Sequence, residues 1–223
     1  MLTVHHLDNS RSQRVLWLLE ELELPYDIKF YKRDRKTMLA PPELLAIHPL
    51  GKSPVVVDGG DVLAESGAII ETLLERHGQG RLKPAAGTPE LLRWRYWLHF
   101  AEGSAMPPLL MKLVFDRVAS APMPFFVKPI AKGISAKVMG SFVTPNLTRQ
   151  LDFMEAELQR NEWFAGNEFS AADIQMSFAL EAAAQRAGLN ESRPKLQAFL
   201  QRIHARPAYK RALERGGPYS FAD

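Results

Sequence analysis

The chain has 223 residues, 46% of them apolar and 24% charged, with a formal net charge of +3. That balance is typical of a globular protein large enough for one large domain or two small ones, and it contains no run of five like charges that would mark a nucleic-acid arm. The absence of cysteine excludes disulfides, zinc–thiolate sites and a Cys-x-x-Cys redox pair, and no apolar run approaches the ~20 residues that span a bilayer.

MLTVHHLDNS has no charged segment followed by an apolar one, so no leader is expected, and the chain reads as cytoplasmic, with neither nucleic acid nor membrane as partner. Leu2 to His6 is a short strand candidate. Val15, Leu18, Leu19 and Leu22 follow at helical spacing, and Pro25 ends that segment. Tyr26 to Tyr31 alternates as a half-buried strand. The cluster Lys32-Arg33-Asp34-Arg35-Lys36 reads as a solvated loop. APPELLAIHPLGKSP has room for one short helical turn. Val55 to Val57, a turn at Asp58-Gly59-Gly60-Asp61, and Val62 to Ala64 form a hairpin. Ile69, Ile70, Leu73 and Leu74 make a second amphipathic helix.

From Pro89 onward the pattern is helical. One long helix is expected over Leu91 to Phe115, bent near Pro107-Pro108. A second helical stretch covers Phe125 to Asn161, with Pro129, Gly133 and Pro145 as bends or ends. In FSAADI, Ser170 and Asp173 fit a capping box, and Phe169 and Ile174 a hydrophobic staple, a structural lock rather than chemistry. Two further helices run through Leu196 to Ile203 and Tyr209 to Glu214. The expected fold is an α/β domain over residues 1–80, a linker, and an all-α domain over residues 89–223.

Three places combine polar groups with backbone polarity. Pro54 must begin its strand because it cannot donate to a ladder. A cis Ser53–Pro54 bond there would turn the Ser53 peptide outward, open to pairing with an extended peptide. Ser66 opens a helix, where a hydroxyl and free amides favour a carboxylate, while the neighbouring Glu65 can accept from an ammonium; an ordinary N-cap has the same sequence. Ser10 and Ser12 lie with Arg11 and Arg14 at the mouth of the first helix. A serine hydrolase would need a positioned histidine and acid, and usually a G-x-S-x-G elbow, which Asn9-Ser10-Arg11 is not. His5 and His6, adjacent on a strand, point to opposite faces and make a poor metal pair; no metal is expected.

Taken together, HPLGKSPV, AESGAI and FSAADI, in that order, make the whole chain resemble a cytosolic glutathione S-transferase. The segments SRSQRVLWLLEEL, YKRDRKTMLAPPELLAIHPLGKSP and YWLHFAEGSAMPPLL resemble its serine-type, theta-like bacterial and fungal branch. The resemblance implies a thioredoxin-like N-terminal domain and a helical C-terminal domain, usually in a homodimer with a role in detoxification. It implies glutathione as co-substrate. Ser53 before the cis Pro54 would bind the cysteinyl backbone, Glu65 and Ser66 the γ-glutamyl head, and Lys52 the glycine carboxylate. Glu102 would reach the amino group across a two-fold interface. Counting back from Arg14 makes Ser10 the catalytic serine, with Ser12 as the second candidate. Met106, Pro107, Leu110, Met111 and Phe115 would line the electrophile pocket; methionine suits loose specificity because it repacks.

The thiol then belongs to the substrate. With a reference pKa of about 8.5, lowering it by ~2 units takes about 2.7 kcal/mol, within reach of one charge-assisted hydrogen bond and a helix N-terminus. The resemblance implies conjugation to hydrophobic electrophiles or reduction of organic hydroperoxides, and a non-catalytic ligand-binding or assembly module is the alternative.

Overall fold

The computed structural model describes residues 1–34 and 36–222. Strands β1 (Leu2–Leu7), β2 (Tyr26–Tyr31), β3 (Val55–Asp58) and β4 (Asp61–Ala64) form one mixed sheet in the order β2-β1-β3-β4. β1 runs parallel to β2 and antiparallel to β3, and β3 and β4 form the hairpin. Helix α1 (Ser12–Glu21) connects β1 to β2, and α2 (Ser66–His77) follows β4. This is a thioredoxin-like layer, and everything after it is helical: α3 (Pro89–Phe100), α4 (Met106–Ser120), α5 (Lys128–Val138), α6 (Thr144–Arg160), α7 (Ala171–Arg186), α8 (Pro194–Ala205) and α9 (Pro207–Gly216).

Helix α1 is buried from Ser12 to Glu20, on every face. A helix of that kind lies inside a core rather than on a surface, and α1 packs against α2 and β1 within its own layer and against α7 and α9 of the helical part. Only Val15, Leu18, Leu19 and Leu22 announce this helix in the periodicity; the burial of Gln13 and Arg14 comes from the second layer.

The expected bend near Pro107-Pro108 is a π turn, Ala101–Ala105, joining α3 to α4 without a break and closed by the Met106 N–H on the Ala101 carbonyl. A proline inside an α-helix lacks its N–H and clashes with the carbonyl four residues back; the wider turn just ahead takes up the misfit. A second π turn, Met139–Val143, precedes Pro145 in the same way. Gly133 is neither a bend nor an end, lying inside α5, whereas Pro129 marks the start of that helix. Pro129 lies in the first turn of α5, where a missing N–H costs nothing, so the helix starts at Lys128 and leaves Phe125 to Val127 outside it.

The capping box is present: both Asp173 oxygens are used, one accepting from the Phe164 amide and the other from the Ser170 amide, each at 2.9 Å. Arg33 departs from the expected solvated loop. It is half-buried, with its amide donating to Asp8 Oδ1 at 2.8 Å and its Nε to the Asp8 carbonyl. Arg35 of that cluster lies outside the described residues.

Candidate functional site

The site begins where β1 ends. Asn9 has a positive φ of 47°, and that sharp turn drops Ser10 in front of α1. Ser10 Oγ accepts from the Ser12 amide at 3.2 Å and lies 2.7 Å from Ser12 Oγ. Ser12 Oγ lies 2.9 Å from His6 Nδ1. Both serines are buried, Ser10 at 4% exposed and Ser12 at 0%. Burial lowers the His6 pKa below the ordinary histidine range, with the Gly216 carbonyl and Asp8 pulling the other way.

The Ser53–Pro54 bond is cis. β1 and β3 pair only as far as His5 and Val55, leaving the Ser53 peptide beyond the ladder. Its side chain is used structurally: Ser53 Oγ donates to the His5 carbonyl at 2.8 Å and accepts from the Leu7 amide at 3.3 Å. The Ser53 backbone is thereby fixed at the rim of β1.

Glu65 caps α2 with φ 67° and ψ 124°, a strained conformation for a residue with a Cβ and one that clusters at functional sites. Ser66, buried at the first position of α2, accepts from an Arg14 Nη at 3.2 Å. That same nitrogen donates to Glu102 Oε1 at 2.5 Å, and the other Nη donates to the Gln175 carbonyl. Arg14 is 2% exposed. One guanidinium thus joins α1, α2, the π turn and α7.

Glu102 also lies 3.0 Å from Arg11 Nε. Burial pushes its carboxyl up, but Arg14 and Arg11 outweigh burial and hold it below the usual carboxylate range. Glu102 lines the cleft of this chain, because the π turn aims residue 102 at Arg11 and Arg14.

These groups meet in a cavity of about 310 Å³, lined by Arg11, His48, Leu50, Lys52, Ser53, Pro54, Ala64, Glu65, Ser66 and Glu102. All six residues named for glutathione are in this cleft. His48 and Arg11 border it too, and His48 went unremarked although it stands in HPLGKSPV. Arg14, behind the cleft, figured in the sequence only as a counting mark; its signal was a charged residue inside an otherwise apolar helical run.

A second cavity of about 440 Å³ adjoins it, and Arg11 lines both. Of the five residues expected in the electrophile pocket, Met106 and Leu110 line this cavity; Pro107, Met111 and Phe115 do not. Helix geometry gives the reason. Met106, Leu109, Leu110, Leu113 and Arg117 share one face of α4, whereas Pro107, Met111 and Phe115 form a neighbouring stripe at four-residue spacing. Phe178 of α7 and Phe221 of the C-terminal tail supply the opposite wall. A further cavity of about 660 Å³, lined by Glu21 and by residues within 80–90 and 165–170, shares no residue with either.

Residues 10–76 match the family model of the glutathione S-transferase N-terminal domain, and residues 137–207 match that of the C-terminal domain. The chain is 39% identical over 216 residues to glutathione S-transferase 3 of Schizosaccharomyces pombe, covering 96% of this chain and 88% of that protein. The chain belongs to the glutathione S-transferase family. Glutathione S-transferase 1 of Saccharomyces cerevisiae is 33% identical over 223 residues, covering 96% and 95% of the two chains. Among solved structures, a glutathione S-transferase from Actinobacillus pleuropneumoniae superimposes with a TM-score of 0.81 at 31% identity, covering 100% of this chain and 96% of the other. The family architecture, a glutathione S-transferase N-terminal domain followed by its C-terminal domain, accounts for both halves of the fold.

Proposed function

We propose that this chain is a serine-type transferase that conjugates the thiolate of glutathione to hydrophobic electrophiles. The observation that carries the reading is one cleft lined by Lys52, Ser53, Glu65, Ser66 and Glu102 together with Arg11, the neighbour of Ser10. Glutathione lies along it with its γ-glutamyl carboxylate on Ser66 and the first amides of α2, where the helix dipole favours an anion. Glu65 and Glu102 face the ammonium, the Ser53 peptide pairs with the cysteinyl backbone, and Lys52 takes the glycine carboxylate.

The thiol is then delivered to Ser10, whose Oγ already accepts from the Ser12 amide. When Ser12 Oγ donates to Ser10 Oγ, the Ser10 proton is free for the sulfur. Donation to the thiolate favours the charged form, the thiol proton passes to solvent, and the thiolate attacks an electrophile held in the adjoining cavity. Reduction of organic hydroperoxides uses the same thiolate, with a second glutathione completing the disulfide. In this reading residues 1–80 bind glutathione, residues 89–223 supply the electrophile pocket, and the enzyme is a cytoplasmic homodimer serving detoxification.

The test separates the two serines. Ser10→Ala should raise the pKa of bound glutathione, followed by thiolate absorbance, by about 1–2 units and lower kcat/KM about 10–100-fold. Ser12→Ala should have the smaller effect. The assignment fails if Ser12→Ala abolishes the thiolate and Ser10→Ala leaves it unchanged.

A further inference from the structure

The cavity beside the glutathione cleft has an apolar floor and a cationic rim. Leu109, Leu113, Phe178 and Phe221 form the floor; Arg11, Arg33, Arg117 and Arg186 reach the same cavity. Among the described residues Asp8 is the one acidic residue in its lining, so four arginines against one aspartate give +3 there. A pocket built only to exclude water from neutral electrophiles has no use for this. Arg117 and Arg186 are exposed at the mouth of the cavity, where their positive field favours an anion over a neutral ligand.

Among the described residues, two of the four rim arginines are engaged within the chain and two are not. Arg11 pairs with Glu102, and Arg33 is held by Asp8 and Met38. Asp116, the acidic neighbour of Arg117, is engaged by Lys112 at 2.7 Å. Arg117 and Arg186 form no ion pair among the described residues. Arg186 lies 5.0 Å from the centre of the Phe221 ring and Arg11 5.4 Å from that of Phe178, so cations and aromatic floor are interleaved. Asn9 and Arg11, the two neighbours of Ser10, both border the cavity, which puts the thiolate position at its edge.

Resting on the transferase reading above, we infer that the second substrate is an amphipathic organic anion, a carboxylate whose apolar body carries the electrophilic centre. The apolar body lies on Leu109, Leu113 and Phe178, and the carboxylate is taken by Arg117 and Arg186. A guanidinium suits that role because its planar fork matches a carboxylate. The rim arginines also draw such anions to the pocket, an effect that falls with salt.

Two measurements test this. The first is calorimetric titration with decanoate and with decanamide, neutral and of the same length, in the absence of glutathione. Decanoate should bind about tenfold more tightly, and the double variant Arg117→Gln/Arg186→Gln should lose most of that preference without changing decanamide binding. Both arginines are exposed, so the variant should fold and titrate with glutathione as the wild type does. The second compares 4-chloro-3-nitrobenzoate with its benzamide, each rate divided by the uncatalysed rate. In both, the thiolate forms a C–S bond as the C–Cl bond breaks and chloride leaves. The benzoate should be preferred in the wild type, and added salt or the double variant should erase the preference. Equal binding of decanoate and decanamide, or a preference that survives the double variant, overturns the inference, and the transferase reading stands if both aryl chlorides are turned over. Arginine-dependent decanoate binding without turnover of either chloride would instead leave the pocket assignment standing and sink the transferase reading.

Discussion

Two buried side chains decide how Ser10 and Ser66 are presented, and neither touches the cleft. Arg14 carries the larger burden. It holds Ser66 Oγ and Glu102 Oε1 with one nitrogen and the Gln175 carbonyl with the other. Arg14→Met removes the charge that holds Glu102 ionised and breaks a largely buried network, so unfolding stability should fall by about 3–5 kcal/mol. Arg14→Lys keeps the charge without the fork, and its signature should be a raised KM for glutathione at nearly wild-type kcat, read from steady-state kinetics. His6 acts through Ser12. Because burial lowers its pKa, the stability gained from neutral His6 is present above the ordinary value of about 6.5 and is lost as pH falls through the lowered one. His6→Asn keeps a hydrogen-bonding side chain that does not titrate. Urea unfolding at pH 7 and pH 5 should therefore find that the advantage of wild type over His6→Asn narrows at the lower pH.

At the scale of elements, the cleft is assembled from places where regular structure is interrupted. β1 gives way to a turn at Asn9, the β3 ladder starts after the Ser53–Pro54 bond, α2 opens on the strained Glu65, and the helix through α3 widens into a π turn at Glu102. Each interruption frees a polar group that a regular element would have consumed. Strain at Glu65 gives a direct test. Glu65→Gly suits a φ of 67°, and it should raise stability in thermal or urea unfolding by about 1 kcal/mol. Glutathione affinity in the same variant should drop at least about tenfold, as expected for a lost charge-assisted contact. Gain of stability with full affinity would remove Glu65 from the site.

Over the whole molecule, the C-terminal part closes back onto the N-terminal layer. Glu20 of α1 receives Arg211 and Arg215, and Glu21 receives Arg206 at 2.5 Å. The tail beyond α9 ends at the site: the Ser220 amide and hydroxyl both donate to Asn9 Oδ1, at 2.8 and 2.7 Å, while Tyr219 donates to the buried Glu181. A chain ending at Pro218 loses the Phe221 wall and the restraint on Asn9. Its KM for the electrophile should rise about tenfold with the KM for glutathione within about twofold, and the lost Tyr219 bond should cost about 1–3 kcal/mol in unfolding. Equal effects on both KM values would mean that the tail merely supports the fold.

Local pattern alone pointed to the strands, the first and second helices, the capping box, and Ser53, Glu65 and Ser66 as places where polar groups meet backbone polarity. The roles of Ser10 and Lys52 came from the family resemblance. The local features are legible because each is set by neighbours in the chain: a proline that must begin a strand, a serine that opens a helix, an apolar stripe at 3.6-residue spacing. Tertiary structure decided everything that depends on residues far apart in sequence. Arg14 meets Gln175 across 161 positions, and Phe178 and Phe221 wall a pocket that α4 begins. The choice between Met106 and Met111 belongs to the same class. Both are apolar and equally placed for a helix to display, and only packing against α7 and the tail selects the face that becomes the pocket. Periodicity specifies that a helix has a buried stripe; the partner that covers the stripe is chosen by the fold.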